Sequence, residues 1–146
     1  MRLYACAGSH ESFQAVLVPK DGAAAAYAVE GTDLDGPGGL IPCESVNEFI
    51  YVQTHMPSGY NARNPLGEYP EALLPTKEAR LAGRKNFPLF VTYRVPADAK
   101  PGLYRGAVRL TADGKRHEIP VELTVWNIIL PVLSRWFDAP ASLKGT

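Results

Sequence analysis

Two sets of polar residues carry the groups that enzymes use, and their placement decides whether they could react. Ser9, His10, Glu11 and Ser12 follow one another in the chain, and a hydroxyl, an imidazole and a carboxylate are the parts of a nucleophile and base relay. Neighbours in a strand point to opposite faces of the sheet, so consecutive residues cannot form such a relay. We interpret this run as the polar start of a strand.

The second set consists of carboxylates that could attack or protonate a glycosidic bond. That chemistry needs two carboxyl groups across a cleft at a fixed separation, and nothing in the sequence arranges such a site. Because Asp and Glu side chains are usually exposed, we interpret these residues as solvated loop charges and expect no enzyme activity from the chain itself. The carboxylates considered are Glu44, Glu48, Glu68 and Glu71.

The cysteine and histidine pattern limits metal and disulfide chemistry. Cys6 and Cys43 lack the CxxC spacing, and His10, His55 and His117 are scattered, so no metal-ligand set and no cofactor are expected. A disulfide between the two cysteines and a pair of buried free thiols are both open.

Composition argues against two classes of partner. Fifteen basic and fifteen acidic residues give a formal net charge of zero, so the broad positive field of a general nucleic-acid binder is missing. No segment has the ~20 apolar residues of a membrane span, and the apolar run after Met1 is too short for a signal peptide. We expect a soluble single domain, since 146 residues suffice to bury one core.

Among the elements that would position a site, the hairpin around Asp113-Gly114 is the one that the sequence predicts in most detail. Asp113-Gly114 favours a two-residue type I′ turn, which sets Ala112 opposite Lys115. Counting back places Pro120 opposite Ala107 with its nitrogen facing away, so we expect an edge or a bulge there. The other predicted pairs are Arg109 with Glu118 and Arg105 with Glu122 on one face, and Val108 with Ile119 and Tyr104 with Leu123 on the other.

Short apolar runs bounded by Gly, Pro, Asn and Asp recur along the rest of the chain, as they do in antiparallel β-sandwiches. Together with the hairpin they predict an all-β fold of about seven strands, immunoglobulin-like or jelly-roll-like. Thr32 to Pro42 is rich in turn formers and is expected to be a surface connection. The runs are Leu3 to Ala7, Ser12 to Val18, Ala26 to Glu30, Phe49 to Thr54 and Pro88 to Val95.

One segment, His55 to Asn86, shows no clear strand pattern over 32 residues. Long irregular loops in compact domains are usually functional or packed on a neighbour, so we predict a binding surface here. Tyr60 and Tyr69 are candidates for stacking against sugar rings, because an aromatic face offers flat apolar area with a polar tip. Leu73 and Leu74 are candidates for docking on another domain.

Tyr51, Trp126 and Trp136 could join such a stacking platform, although sandwich cores use the same residue types. Trp126 lies on the Arg/Glu face of the hairpin, where an exposed Trp is unusual. We expect it to pack under the long loop or against a missing partner. Trp136 and Phe137, which follow Pro131, are interpreted as a segment that docks on another domain.

Four strings of the sequence resemble a known family over nearly the whole chain. They are similar to the N-terminal β-sandwich of glycoside hydrolase family 123 and related large bacterial glycosidases. In that family the sandwich precedes a (β/α)8 barrel, and the resemblance implies that Ile128 to Pro131 leads toward such a barrel. The strings are GSHESFQAVLVP (Gly8 to Pro19), GEYPEALLP (Gly67 to Pro75), VPADAKPGLYRGAVRL (Val95 to Leu110) and IPVELTVWNIILP (Ile119 to Pro131).

The resemblance also implies where catalysis belongs. The family hydrolyses N-acetylgalactosaminides by substrate-assisted catalysis, in which the acetamido oxygen of the sugar attacks while an adjacent Asp-Glu pair in the barrel orients it and donates a proton. No Asp-Glu dipeptide occurs in this sequence, so no catalytic residue transfers to it. The implied role is a noncatalytic accessory domain that supports or orients a barrel of the same parent protein, with an extracytoplasmic bacterial setting left open.

Two alternatives stay open. A carbohydrate-binding module predicts weak glycan affinity that Tyr60→Ala and Tyr69→Ala abolish without unfolding, and a structural interaction domain predicts a contiguous apolar patch. We expect the sandwich to span residues 1–131 and a linker or docking segment to span 132–146. The interdomain docking candidates are Leu73, Leu74, Trp126, Leu130, Trp136 and Phe137.

Overall fold

The computed structural model describes residues 1–18, 26–53, 67–80, 87–112 and 114–129, which form eleven strands and no helix. The strands make two sheets, and the predicted all-β sandwich is confirmed. Their bounds are β1 (Arg2–Ala7), β2 (His10–Leu17), β3 (Ala26–Gly31), β4 (Leu34–Gly36), β5 (Gly39–Ile41), β6 (Cys43–Gln53), β7 (Glu68–Pro75), β8 (Glu78–Arg80), β9 (Phe87–Arg94), β10 (Gly102–Ala112) and β11 (Lys115–Ile129).

Sheet A has the order β1-β11-β10-β3-β8, with the small β4–β5 hairpin attached to β10. Sheet B has the order β2-β9-β6-β7. The pair β1–β11 is parallel, and the other paired strands are antiparallel.

The core lies between the two sheets and follows from the alternation of the strands. In β9 every second residue from Phe87 to Tyr93 is buried, because successive side chains of a strand point to opposite faces. The buried side chains of sheet A are Leu3, Ala5, Ala7, Tyr27, Val29, Leu34, Ile41, Tyr104, Ala107, Val108, Leu110, Val121, Leu123 and Val125, and those of sheet B are Phe13, Phe87, Leu89, Val91 and Tyr93.

The hairpin register predicted from Asp113-Gly114 is confirmed at every pair, from Ala112 with Lys115 to Tyr104 with Leu123. The expected edge at Pro120 is confirmed too, since the pairing of β1 with β11 begins only at Glu122. Ala107 and Pro120 form a non-hydrogen-bonded pair, so the N–H of Ala107 faces away from β11 and donates to Thr32 Oγ1 at 2.9 Å.

The seven strands expected from the sequence correspond to β1, β2, β3, β6, β9, β10 and β11. The prediction of a surface connection over Thr32 to Pro42 was wrong. That stretch forms β4 and β5, and its Leu34 and Ile41 are both completely buried. The turn formers between them make a tight hairpin, so the apolar residue on each side can cover one end of the core.

The prediction of an irregular loop was wrong for residues 68–80, which contain β7 and β8; the rest of His55 to Asn86 lies outside the described residues. Proline is tolerated in β7 because β7 is an edge strand, where a missing N–H costs no ladder bond. The corner between β7 and β8 joins the sheets: Thr76 N donates to Val46 O at 2.9 Å, and Val29 N donates to Lys77 O at 2.8 Å.

Candidate functional site

The polar run at the start of β2 does not form a relay. Ser9 Oγ donates to Cys6 O at 2.8 Å, and Ser12 Oγ lies 3.0 Å from Thr92 Oγ1. His10 Nε2 lies 3.3 Å from Glu44 Oε2, on a neighbouring part of sheet B. Ser9, His10 and Ser12 therefore each have a separate partner, and β2 begins within this run at His10, as the interpretation of a strand start predicted.

The described residues include the side chains of two of the four carboxylate candidates and no metal-ligand group. Glu44 and Glu48 lie on β6, while the side chains of Glu68 and Glu71 are outside the described part. No group of three or more His, Cys, Asp or Glu residues that could hold a metal ion occurs in that part of the chain. The same residues include no helix long and apolar enough to cross a bilayer.

Both cysteines are free thiols and half-buried, so the disulfide alternative is not realised. Cys43 N donates to Asp33 Oδ1 at 3.0 Å. Burial, and then the charge of Asp33, raise the pKa of the Cys43 thiol, and burial likewise raises the pKa of the Tyr93 hydroxyl beside it. A methyl group at Gly31 would overlap Cys43 Sγ. The thiol is a packed, protonated group and not an activated nucleophile.

A cleft of about 720 Å³ opens at the side of the sandwich between β3 and β6, beside the corner that joins the sheets. Its wall includes Glu30, Glu44 and Lys77 together with the Cys43 thiol. The charges are mixed, and Glu44 is already paired with His10. We interpret the cleft as the open side of the sandwich.

The structure separates the docking candidates that it describes. Leu73 and Leu74 lie on β7 of sheet B and are about half exposed, whereas Trp126 lies on β11 of sheet A. Tyr69 is half-buried on β7, opposite Val52. The candidates Tyr60, Leu130, Trp136 and Phe137 lie outside the described residues.

Trp126 has a neighbour that sequence reasoning missed. It stacks on Tyr4 of β1, with ring centroids 6.0 Å apart and ring planes at 28°. Tyr4, Trp126 and Ile128 are each about half exposed, at 53%, 49% and 53%. We call these three residues the exit patch, because β11 ends directly after them at Ile129. The alternation of Arg2 to Ala7 predicts that Tyr4 points outward. No local sequence feature predicts that β1 pairs with β11, a strand 120 positions later in the chain.

The rest of the outer face of sheet A carries charged pairs. Glu122 contacts Arg2 at 3.4 Å and Arg105 at 3.3 Å, and Arg109 contacts Glu118 at 3.5 Å. Exposed pairs of this kind contribute only about 0 to 1 kcal/mol each. They keep this part of the face solvated beside the exit patch.

The outer face of sheet B is different because its described side chains are uncharged over three successive rows. The register places Gln14 and Asn47 on either side of Phe90, and Phe90 contacts Phe49 edge to face at 6.2 Å. We call this surface the neutral face. It consists of Ser12, Gln14 and Val16 of β2, Pro88, Phe90 and Thr92 of β9, Ser45, Asn47 and Phe49 of β6, and Leu73 of β7.

Sequence reasoning identified only Leu73 of the neutral face. The signal was present in β9, where Pro88, Phe90 and Thr92 occupy the outward positions of the alternation. Apolar residues on both faces of one strand are typical of a sheet whose outer face, like its inner face, is in contact with another group. The partner strands that complete the rows come from distant parts of the chain.

Comparison with known proteins supports the fold. The chain matches no protein-family model and no curated protein. Its structure is similar to a family 123 glycoside hydrolase from Clostridium perfringens, studied for glycolipid glycan hydrolysis, with a TM-score of 0.77 and 19% identity over 90% of this chain. A PapD-like domain of human CEP192 aligns with a TM-score of 0.44 and 8% identity, over 89% of this chain and 82% of that one.

The similarity to the hydrolase shows a shared β-sandwich fold. The chain spans 23% of the length of that hydrolase. A domain of this size can therefore form one part of a much larger protein.

Proposed function

We propose that this chain is a noncatalytic accessory β-sandwich domain of a glycoside-hydrolase-like protein, and that it supports or orients a (β/α)8 catalytic domain of the same polypeptide. The sequence strings that resemble family 123 and the fold similarity to a member of that family support this proposal. By the same resemblance, the parent protein would act on N-acetylgalactosaminides with catalytic residues supplied by the barrel.

The exit patch is the observation that carries the proposal. Tyr4 and Trp126 form an aromatic pair, and the half-exposed Ile128 follows Trp126 by two residues near the end of β11. A domain that follows β11 is tethered within a few residues of this surface, and each residue of chain spans at most ~3.6 Å. Aromatic anchors inside a rim of charged groups are typical of protein interfaces, and Arg2 and Glu122 supply such a rim.

The free energy available at the patch can be bounded from exposure. Trp126 is 49% exposed, so about 100 Å² of an aromatic side chain of about 200 Å² is free for a partner. At about 25 cal/mol per Å², covering that area can stabilise the assembly by at most about 2.5 kcal/mol, because association also costs conformational and rigid-body entropy.

The first experiment is to read the parent open reading frame beyond Thr146. About 250 further residues with alternating strand and helix patterns and an Asp-Glu pair are expected. A stop codon directly after Thr146 would contradict the proposal.

The second experiment tests docking in the parent protein by calorimetry. Trp126→Ala should uncouple the unfolding of the sandwich from that of the barrel, while Arg109→Ala, on the solvated part of the same sheet, should leave the unfolding transitions unchanged. Equal effects of the two substitutions would show that the exit patch contacts no other domain.

A further inference from the structure

The neutral face differs from the exit patch in chemistry as well as position. The exit patch is apolar and lies beside ion pairs on sheet A, whereas the neutral face on sheet B has a hydroxyl row, a mixed central row and an apolar row. Because the neutral face lies on the other sheet, what it binds does not depend on the proposed function.

The central row of the neutral face is an aromatic ring between two amides. Phe90 of β9 pairs with Gln14 of β2 on one side and with Asn47 of β6 on the other. Neighbouring strands lie about 4.8 Å apart, so both amides stand within reach of a ligand seated on the ring. Gln14 is exposed, while Phe90 and Asn47 are partly exposed.

The rows on either side of Phe90 complete the pattern. Toward one end of the sheet lie the hydroxyls of Ser12, Thr92 and Ser45, and toward the other lies Phe49 in edge-to-face contact with Phe90. The amide of Asn47 is held in place, because its Nδ2 donates to Ser45 Oγ at 2.9 Å. That bond leaves the acceptor oxygen of the amide available to a ligand.

This combination matches the surface of a sugar. A pyranose ring presents an apolar C–H face that packs on an aromatic ring, and a rim of hydroxyls that both donate and accept hydrogen bonds, as amides and hydroxyls do. A purely apolar protein surface would leave these polar groups unpaired, which costs free energy. Three rows across three strands cover about 14 Å by about 10 Å, enough area for two or three sugar units.

The absence of charge among the described side chains of these rows restricts the ligand class. The three rows themselves offer no cation among the described side chains to an acidic sugar, and His10, which pairs with Glu44, and Arg94 lie one row beyond the hydroxyls. We therefore propose that the neutral face is a binding site for uncharged oligosaccharides, with Phe90 under the sugar ring, Phe49 beside it, and Gln14 and Asn47 bonding to its hydroxyls.

The test is an NMR titration of the chain with four hexasaccharides. Maltohexaose, cellohexaose and chitohexaose are the uncharged probes, and hexagalacturonate is the acidic probe. At least one uncharged probe should bind with a dissociation constant of about 1 mM or tighter, with backbone shifts confined to β2, β6 and β9. Hexagalacturonate should bind at least about tenfold more weakly.

Variants assign the binding to named side chains. Phe90→Leu keeps an apolar side chain while removing the ring face, and should weaken binding about tenfold. Gln14→Ala changes an exposed amide with little risk to folding and should weaken binding severalfold. Arg109→Ala lies on the solvated part of sheet A and should leave the affinity unchanged, which makes it a matched control.

Four outcomes would overturn the proposal. These are no response to any uncharged probe at about 10 mM, equal affinity for hexagalacturonate, a loss of binding in Arg109→Ala as large as that in Phe90→Leu, and shielding of the neutral face by another domain in the parent protein. The last outcome would make the face a protein interface. None of these outcomes bears on the exit patch, which the calorimetric experiment tests separately.

Discussion

The burial of Leu34 offers a direct test of how the small β4–β5 hairpin closes the sandwich. Leu34 is completely buried in the core, whereas Leu40 of the same hairpin is 60% exposed. Replacing a buried Leu by Ala removes its transfer free energy and leaves a cavity, at a cost of about 2 to 5 kcal/mol. We expect Leu34→Ala to lower the free energy of unfolding by about 3 kcal/mol, and Leu40→Ala by about 0.5 kcal/mol or less.

Urea denaturation measures both changes on one scale. With a denaturant dependence of about 2 kcal/mol per molar, Leu34→Ala should move the midpoint down by about 1.5 M and Leu40→Ala by less than about 0.3 M. The two substitutions remove the same atoms from one hairpin, so helix or strand propensity does not separate them. Equal midpoint shifts would refute the burial of Leu34 and restore the interpretation of a surface connection.

Three further predictions follow from packing, ionisation and surface charge. Gly106→Ala should destabilise the fold by about 1 to 3 kcal/mol in urea denaturation, because its Cβ would lie 2.6 Å from Asp33 O; a neutral result would mean that the backbone around Asp33 yields. The contribution of the Cys43 thiol to the free energy of unfolding should be fully present below pH 9.0, the ordinary pKa of this thiol. It should be lost as the pH rises through the raised pKa of the folded state, because the fold favours the protonated thiol. Cys43→Ala should reduce that alkaline loss in urea midpoints at about pH 8 and about pH 10.5, and an unchanged loss would assign it to other groups. A double-mutant cycle on Arg109 and Glu118 should give a coupling of about 1 kcal/mol or less, and a larger value would contradict a solvated pair.

The hairpin shows how far local sequence can determine structure. Asp113-Gly114 fixes the turn, and from the turn each pair follows by counting, because the side-chain period of a strand is two residues. The opposed Arg and Glu residues and the opposed apolar residues agree on one register, which the structure reproduces pair by pair. The same reasoning explains Pro120, whose position tolerates a missing N–H.

Strand prediction from local sequence failed where the runs of apolar residues are short or interrupted by turn formers and proline. Leu34 and Ile41 flank a turn-rich stretch, and neither belongs to an alternating run long enough to indicate a strand. In β7, Pro70 and Pro75 suggested a loop, although an edge strand accommodates both. Whether such segments pair depends on the strand that lies beside them, and that strand is remote in sequence.

By itself, the sequence determined the class of fold, the seven main strands, the hairpin register, and the separation of charged from apolar faces along that hairpin. Those features depend on residues within a few positions of one another. The tertiary structure alone decided that Tyr4 meets Trp126 and that Gln14, Phe90 and Asn47 share one row, because each contact joins strands far apart in the chain. Both candidate surfaces are products of that long-range pairing, since a sheet face exists only after its strands are assembled.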